Sequence, residues 1–171
     1  MRAPILRRLF NREIGGIWRG LDPVKKLHEL QSDELERIFG TAPFVSKLGI
    51  RLVSVGAGNC ETELAIGPDH LQQDGFVHAG VQATMADHSA GGAAATLAAP
   101  DQFVLTAEFK INLLRAARGK MLRCKSKVLK PGSQLTVVES EVFCETGDDS
   151  KLVSKATATI ALVSKSRRSQ A

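Results

Sequence analysis

The segment from His78 to Ala99, closed by Pro100, is built from Ala, Gly and small polar residues around a single carboxylate, Asp87. Ala is the strongest helix former and no proline interrupts the run, so it predicts one helix of about 21 residues, roughly 30 Å long. Side chains this small stabilise a helix only where other layers close tightly upon it. Gly91-Gly92 adds a cost of about 1–2 kcal/mol, which implies a neighbour that approaches too closely for a side chain.

The flanking segments supply such layers. Ile50–Val55 and Glu61–Ile66 alternate or run apolar around Gly56 and Gly58, which predicts a hairpin. The loop Gly67–Gly75 that follows is dense in turn formers. Beyond Pro100, Phe103–Leu114, Met121–Leu129, Gln134–Phe143 and Leu152–Val163 read as strands separated by Arg118-Gly119, Lys130–Ser133 and Gly147–Ser150. Turns so evenly spaced predict an antiparallel meander. One curved sheet wrapped around the small-residue helix buries both, giving an α+β fold.

Residues 1–42 differ in texture. Arg2, Arg7, Arg8, Arg12 and Arg19 stand against Glu13 alone in the first 21 residues, with Ile5, Leu6, Leu9, Phe10, Ile14 and Trp18 near helical spacing. This predicts a basic amphipathic helix, docked or lying on a surface. A short second helix follows, capped at Ser32 or Asp33 with Glu36 closing a capping box, and stopping at Gly40. The domain proper is expected at 43–164 and a basic tail at 165–171.

Charge and composition narrow the function. The net charge of +5 suits an anionic partner, whether a nucleotide-bearing metabolite, nucleic acid or an acidic membrane, and does not choose among them. No run reaches the ~18–20 apolar residues of a membrane-spanning helix. Cys60, Cys124 and Cys144 are odd in number and widely spaced, which suits reduced thiols rather than a disulfide framework. His28, His70, His78 and His88 lack ligand spacing, so no metal is expected. Basic residues are not interleaved with aromatics, which argues against nucleic acid. A Ser-poor leader argues for a cytoplasmic location over the mitochondrial matrix.

Asp87 is the residue that needs explaining, because a carboxylate inside a packed helix is costly unless it is paired or used. Gly80, Thr84, Asp87 and Gly91 share one helix face of small and polar groups, open to a substrate, a water or another chain. At the helix start, Gln72, Gln73, His78 and the amides of Ala79 and Gly80 can stabilise a developing oxyanion. Asp87 lies nine residues past His78, about 13 Å along the axis and half a turn out of phase. The two meet on one substrate only in a dimer whose helices run antiparallel, which yields two composite sites.

Residues 43–163 resemble the PaaI-like hotdog-fold acyl-CoA thioesterases. The resemblance rests on Pro43-Phe44, Leu48–Ile50, Gly75–Gly80, Met85–Asp87, Thr106–Arg115 and the strand at Ala156–Thr159. It implies a long helix wrapped by an antiparallel sheet, dimerised edge to edge or paired again into a tetramer. It implies that Asp87 activates water or attacks the thioester, that the Ala79 amide beside His78 and Gly80 polarises the carbonyl, that Gln72 assists, and that Thr106 positions the water. His-Ala-Gly replaces the usual His-Gly-Gly, and Gln72 the commoner Asn; both imply a narrower substrate range. Arg115, Arg118 and Lys120 are candidates for the CoA phosphates, against the plainer reading of a solvated turn. No cofactor is expected, since CoA is part of the substrate.

A thioester is an activated acyl donor, so one base and one polarised carbonyl suffice, and no Gly-x-Ser-x-Gly elbow is present. The competing expectation is a hotdog module that binds acyl-CoA without turning it over. A third is a membrane-peripheral protein held by residues 1–21.

Overall fold

A computed structural model describes residues 36–166. Residues 36–41 are helical and are followed by a short helix α1 (Pro43–Lys47), the strands β1 (Arg51–Gly56) and β2 (Asn59–Ala65), and a helical turn at Pro68–His70. The long helix α2 (Ala79–Ala95) comes next, then β3 (Gln102–Leu113), β4 (Met121–Lys130), β5 (Leu135–Thr146) and β6 (Asp149–Ser164). The six strands form one antiparallel sheet in the order β1-β2-β4-β5-β6-β3, curved around α2. No described helix is long and apolar enough to cross a membrane.

The hairpin and all four later strands form where the alternation predicts them, but the last four are not a simple meander. β3 crosses to the far edge and pairs with β6, leaving β4 to pair with β2. The connection through α2 explains this, because a strand leaving the far end of the helix meets the opposite edge of the sheet. Along β5 the alternation resolves cleanly. Thr136, Val138, Ser140, Val142 and Cys144 are buried under α2, while Glu139 and Glu141 face outward with Lys155 at 3.0 and 3.1 Å.

Helix α2 is shorter than the expected 21 residues. It ends at Ala95 because Thr96 turns its hydroxyl onto the Ala93 carbonyl at 2.7 Å and accepts the Gly58 amide at 2.8 Å. That buried side chain ties the helix end to the β1–β2 turn. Gly92 meets the expected close neighbour, since an added Cβ would lie 2.8 Å from Cys60 Sγ and 3.3 Å from Phe39 Cε2. Gly91 does not, with Val104 Cγ2 4.0 Å away.

The helix at 36–41 runs past Gly40 through Thr41, whose hydroxyl donates to the Arg37 carbonyl at 2.7 Å. Its expected caps Ser32 and Asp33, the amphipathic segment 1–21, and the tail from residue 167 lie outside the described residues. All three cysteines are free and buried. Burial pushes the Cys60 thiol up to about 12 and Cys124 up to about 11, so neither is a ready nucleophile.

Candidate active site

Asp87 is held from two sides. The sheet grips the helix backbone just before it. Ser89 Oγ donates to the Met85 carbonyl at 2.7 Å and lies 2.7 Å from Thr62 Oγ1 of β2. Ser140 Oγ of β5 donates to the Ala86 carbonyl at 2.9 Å and lies 2.7 Å from Ser126 Oγ of β4. Buried hydroxyls keep their stabilising value only when fully bonded, so this network fixes the height and rotation of α2.

From the other side, Thr106 Oγ1 of β3 donates to Asp87 Oδ1 at 2.8 Å. The approach depends on a register shift in β3 between Thr106 and Glu108. Val104 packs inward before the shift, and Phe109 and Ile111 pack inward after it. An unbroken alternation would instead turn Glu108 and Lys110 toward the helix, so the bulge reconciles an inward Thr106 with an apolar continuation. Asp87 is half-buried on the helix face that also carries Gly80, Thr84 and Gly91, none of them buried. The carboxylate therefore reaches open space over an edge strand and is not sealed in the core.

The second group gathers around the helix start. His78 is the N-cap, and its Nδ1 accepts the Gly80 amide at 2.9 Å. This corrects one expectation, since the Gly80 amide is already used and is not free for a ligand. The Ala79 amide, at the first helical position, forms no hydrogen bond among the described residues. Gln72 Oε1 accepts the Asp74 amide within the loop, and its backbone amide donates to the Phe76 carbonyl at 2.8 Å. Its carboxamide Nε2 donates no hydrogen bond among the described residues.

Gln72, His78, Ala79 and Arg115 share a cavity of about 510 Å³ with the apolar walls Phe76 and Leu114. Arg115 also donates from Nη1 to the Leu152 carbonyl at 2.8 Å. Arg118 and Lys120 are exposed in the β3–β4 connection and do not line the cavity. Asp87 and Thr106 lie outside it too, so one chain holds the acid and the amide end apart, as the half-turn offset requires.

Two neighbours carry no motif in the sequence. Gln82, 3% exposed, lines the cavity and donates to the Val77 carbonyl at 3.4 Å, its Oε1 without a partner among the described residues. Its place four residues after His78 is the only signal that could have found it. His88 packs its ring edge-on to Phe39, with centroids 4.2 Å apart. Burial holds its pKa below the usual value, and the adjacent Asp87 charge opposes that shift. His70 is structural, its Nδ1 accepting the Gly67 amide at 2.9 Å and its Nε2 bonding the Leu48 carbonyl at 3.0 Å.

The family described as the thioesterase superfamily matches residues 74–151. The chain is 29% identical over 118 residues to a 1,4-dihydroxy-2-naphthoyl-CoA hydrolase of Listeria monocytogenes, covering 69% of this chain and 94% of that protein. The crystal structure of a thioesterase family protein from Silicibacter pomeroyi superposes with a TM-score of 0.76 at 29% identity, covering 80% of this chain and 98% of that one. The E. coli PaaI protein shares the fold, with a TM-score of 0.70 at 17% identity over 80% of this chain and 94% of its own.

Proposed function

We propose that this chain, which belongs to the thioesterase superfamily in its PaaI-like hotdog group, hydrolyses an acyl-CoA thioester to the free acid and CoA. The family makes it a thioester hydrolase. The acyl-CoA substrate, the working residues and the assembly are the further steps of the proposal.

In this reading a second copy adds along β3, the edge strand that carries Thr106 and the exposed Leu105 and Leu113. The Asp87 of one protomer then faces the helix start of the other. Thr106 occupies one carboxylate oxygen and fixes the plane of the group, leaving the second oxygen to accept a proton from water. Water attacks the thioester carbon as Asp87 takes that proton. The Ala79 amide and the Gln72 carboxamide donate to the oxyanion that forms. Collapse breaks the C–S bond, and the proton held by Asp87 passes to the departing CoA sulfur. Arg115, beside the cavity, and the exposed Arg118 and Lys120 serve the CoA phosphates.

The observation that carries this reading is the Thr106–Asp87 hydrogen bond, which orients a half-open carboxylate and leaves it unneutralised by any cation among the described residues. Release of free thiol from a panel of acyl-CoAs tests it, with aryl-CoAs first because of the resemblance to a naphthoyl-CoA hydrolase. Asp87→Asn should lower kcat at least about a hundredfold. Unchanged turnover in that variant would remove Asp87 from the mechanism.

A further inference from the structure

We propose that the apolar stripe of residues 6–18 seats in the groove beside β1, completing the domain from the side away from the β3 edge. The groove holds about 730 Å³ between the outer edge of β1 and the helical residues 36–41. Phe39, Ile50, Leu52 and Val55 line it, and Val53 lines it while 44% exposed. β1 is an edge strand, so apolar side chains and unpaired backbone groups lie together along one margin, an arrangement that folded proteins cover.

The chain's own first segment is the occupant that these features select. Glu36 opens the described residues and lines the groove, so the preceding chain arrives at its wall. Residues 22–35 can span at most about 46–50 Å when extended, ample to place residues 6–18 along β1. At 100° per residue, Leu6, Phe10, Ile14 and Ile17 fall on one arc, flanked by Glu13 and Leu9 on one side and by Arg7 and Trp18 on the other, with Arg8, Arg12 and Arg19 opposite. The stripe matches the groove by apolar character. Charge plays little part, since the lining holds one acid, Glu36, against one base, Arg51. Seating in the groove should therefore survive high salt, whereas attraction of the arginines to an anionic membrane would not.

Trp18 is the only tryptophan and reports the contact directly. In the full-length chain its emission should lie to the blue of the unfolded protein, resist acrylamide quenching, and stay unchanged across salt and protein concentration. Val53→Glu places a carboxylate in the groove at a half-exposed position, and should raise the undocked fraction about tenfold or more. Ile14→Glu alters the segment itself and leaves the described fold untouched; it should have the same effect and speed amide exchange along β1. Leu135→Glu, at an exposed position outside the groove, should change nothing. Trp18 fully exposed, or shielded yet indifferent to Val53→Glu and Ile14→Glu, would overturn the proposal. So would shielding that grows with protein concentration, which indicates a second copy, or that arises only with phosphatidylserine vesicles and is lost in salt, which indicates a lipid surface.

Discussion

Thr106 Oγ1 donates a 2.8 Å hydrogen bond to Asp87 Oδ1, joining an edge strand to the middle of the helix that the sheet wraps. Nineteen residues separate the two, and their meeting depends on three independent placements. The hydroxyls of Ser89 and Ser140 set the helix against the sheet. The Thr96 hydroxyl anchors its far end to the β1–β2 turn. The bulge after Thr106 lets that one polar residue face inward without carrying Glu108 and Lys110 in behind it.

If Thr106 orients the carboxylate, losing its hydroxyl should affect the chemical step more than binding. A hydrogen bond to a charged group contributes about 1.5–3 kcal/mol, so Thr106→Val should lower kcat by about tenfold or more with KM nearly unchanged. Thr106→Ser should restore most of the rate. Steady-state kinetics on all three proteins gives the comparison, and a rise in KM alone would assign Thr106 to substrate binding instead.

Gly92 is the glycine of α2 with the closest neighbours. A methyl group there meets Cys60 Sγ at 2.8 Å and Phe39 Cε2 at 3.3 Å, and both neighbours are buried. Gly92→Ala should destabilise the fold by about 1–3 kcal/mol despite its better helix propensity. Gly91→Ala, in open contact, should be neutral or stabilising. Thermal denaturation of the two variants side by side separates packing from propensity.

His88 makes stability depend on pH. Burial lowers its folded-state pKa from 6.5, so the unfolded chain takes up a proton first as the solution is acidified. The contribution is complete above pH 6.5 and declines as pH falls through the interval between the unfolded and the lower folded value. Tm should therefore drop on acidification below 6.5, and His88→Leu should flatten that part of the curve. An unaltered slope in the variant would shift the dependence to other groups.

Much of this architecture was legible in the sequence because periodicity reports directly on packing. The alternation in β5 and the Ala-rich run in α2 each admit one economical arrangement. Strand order was less legible, since nothing local in Phe103–Leu114 states that it pairs with β6 and not with β4. The end of the helix depended on a tertiary bond, Thr96 to the Gly58 amide, that propensity cannot anticipate. At the site, Asp87 stood out as a lone carboxylate in a small-residue helix, whereas Thr106 entered only through the family resemblance. The consumption of the Gly80 amide by His78 was not legible, because it depends on a side-chain rotamer, and the hydroxyl network under the helix has no sequence pattern of its own.

In the proposed mechanism each site is shared, with Asp87 from one protomer and the Ala79 amide from the other. Ala79→Pro deletes that amide at the first helical position, where proline is best tolerated, behind a His78 already in extended backbone (φ −59°, ψ 139°). Ala79→Pro and Asp87→Asn should each abolish thiol release as pure proteins. Mixed after unfolding and refolding together, half of the dimers become hybrids with one intact site of two, so roughly a quarter of wild-type activity should return. If the mixture stays as inactive as its parents while hybrid dimers form, acid and amide act within one chain and the shared site is contradicted.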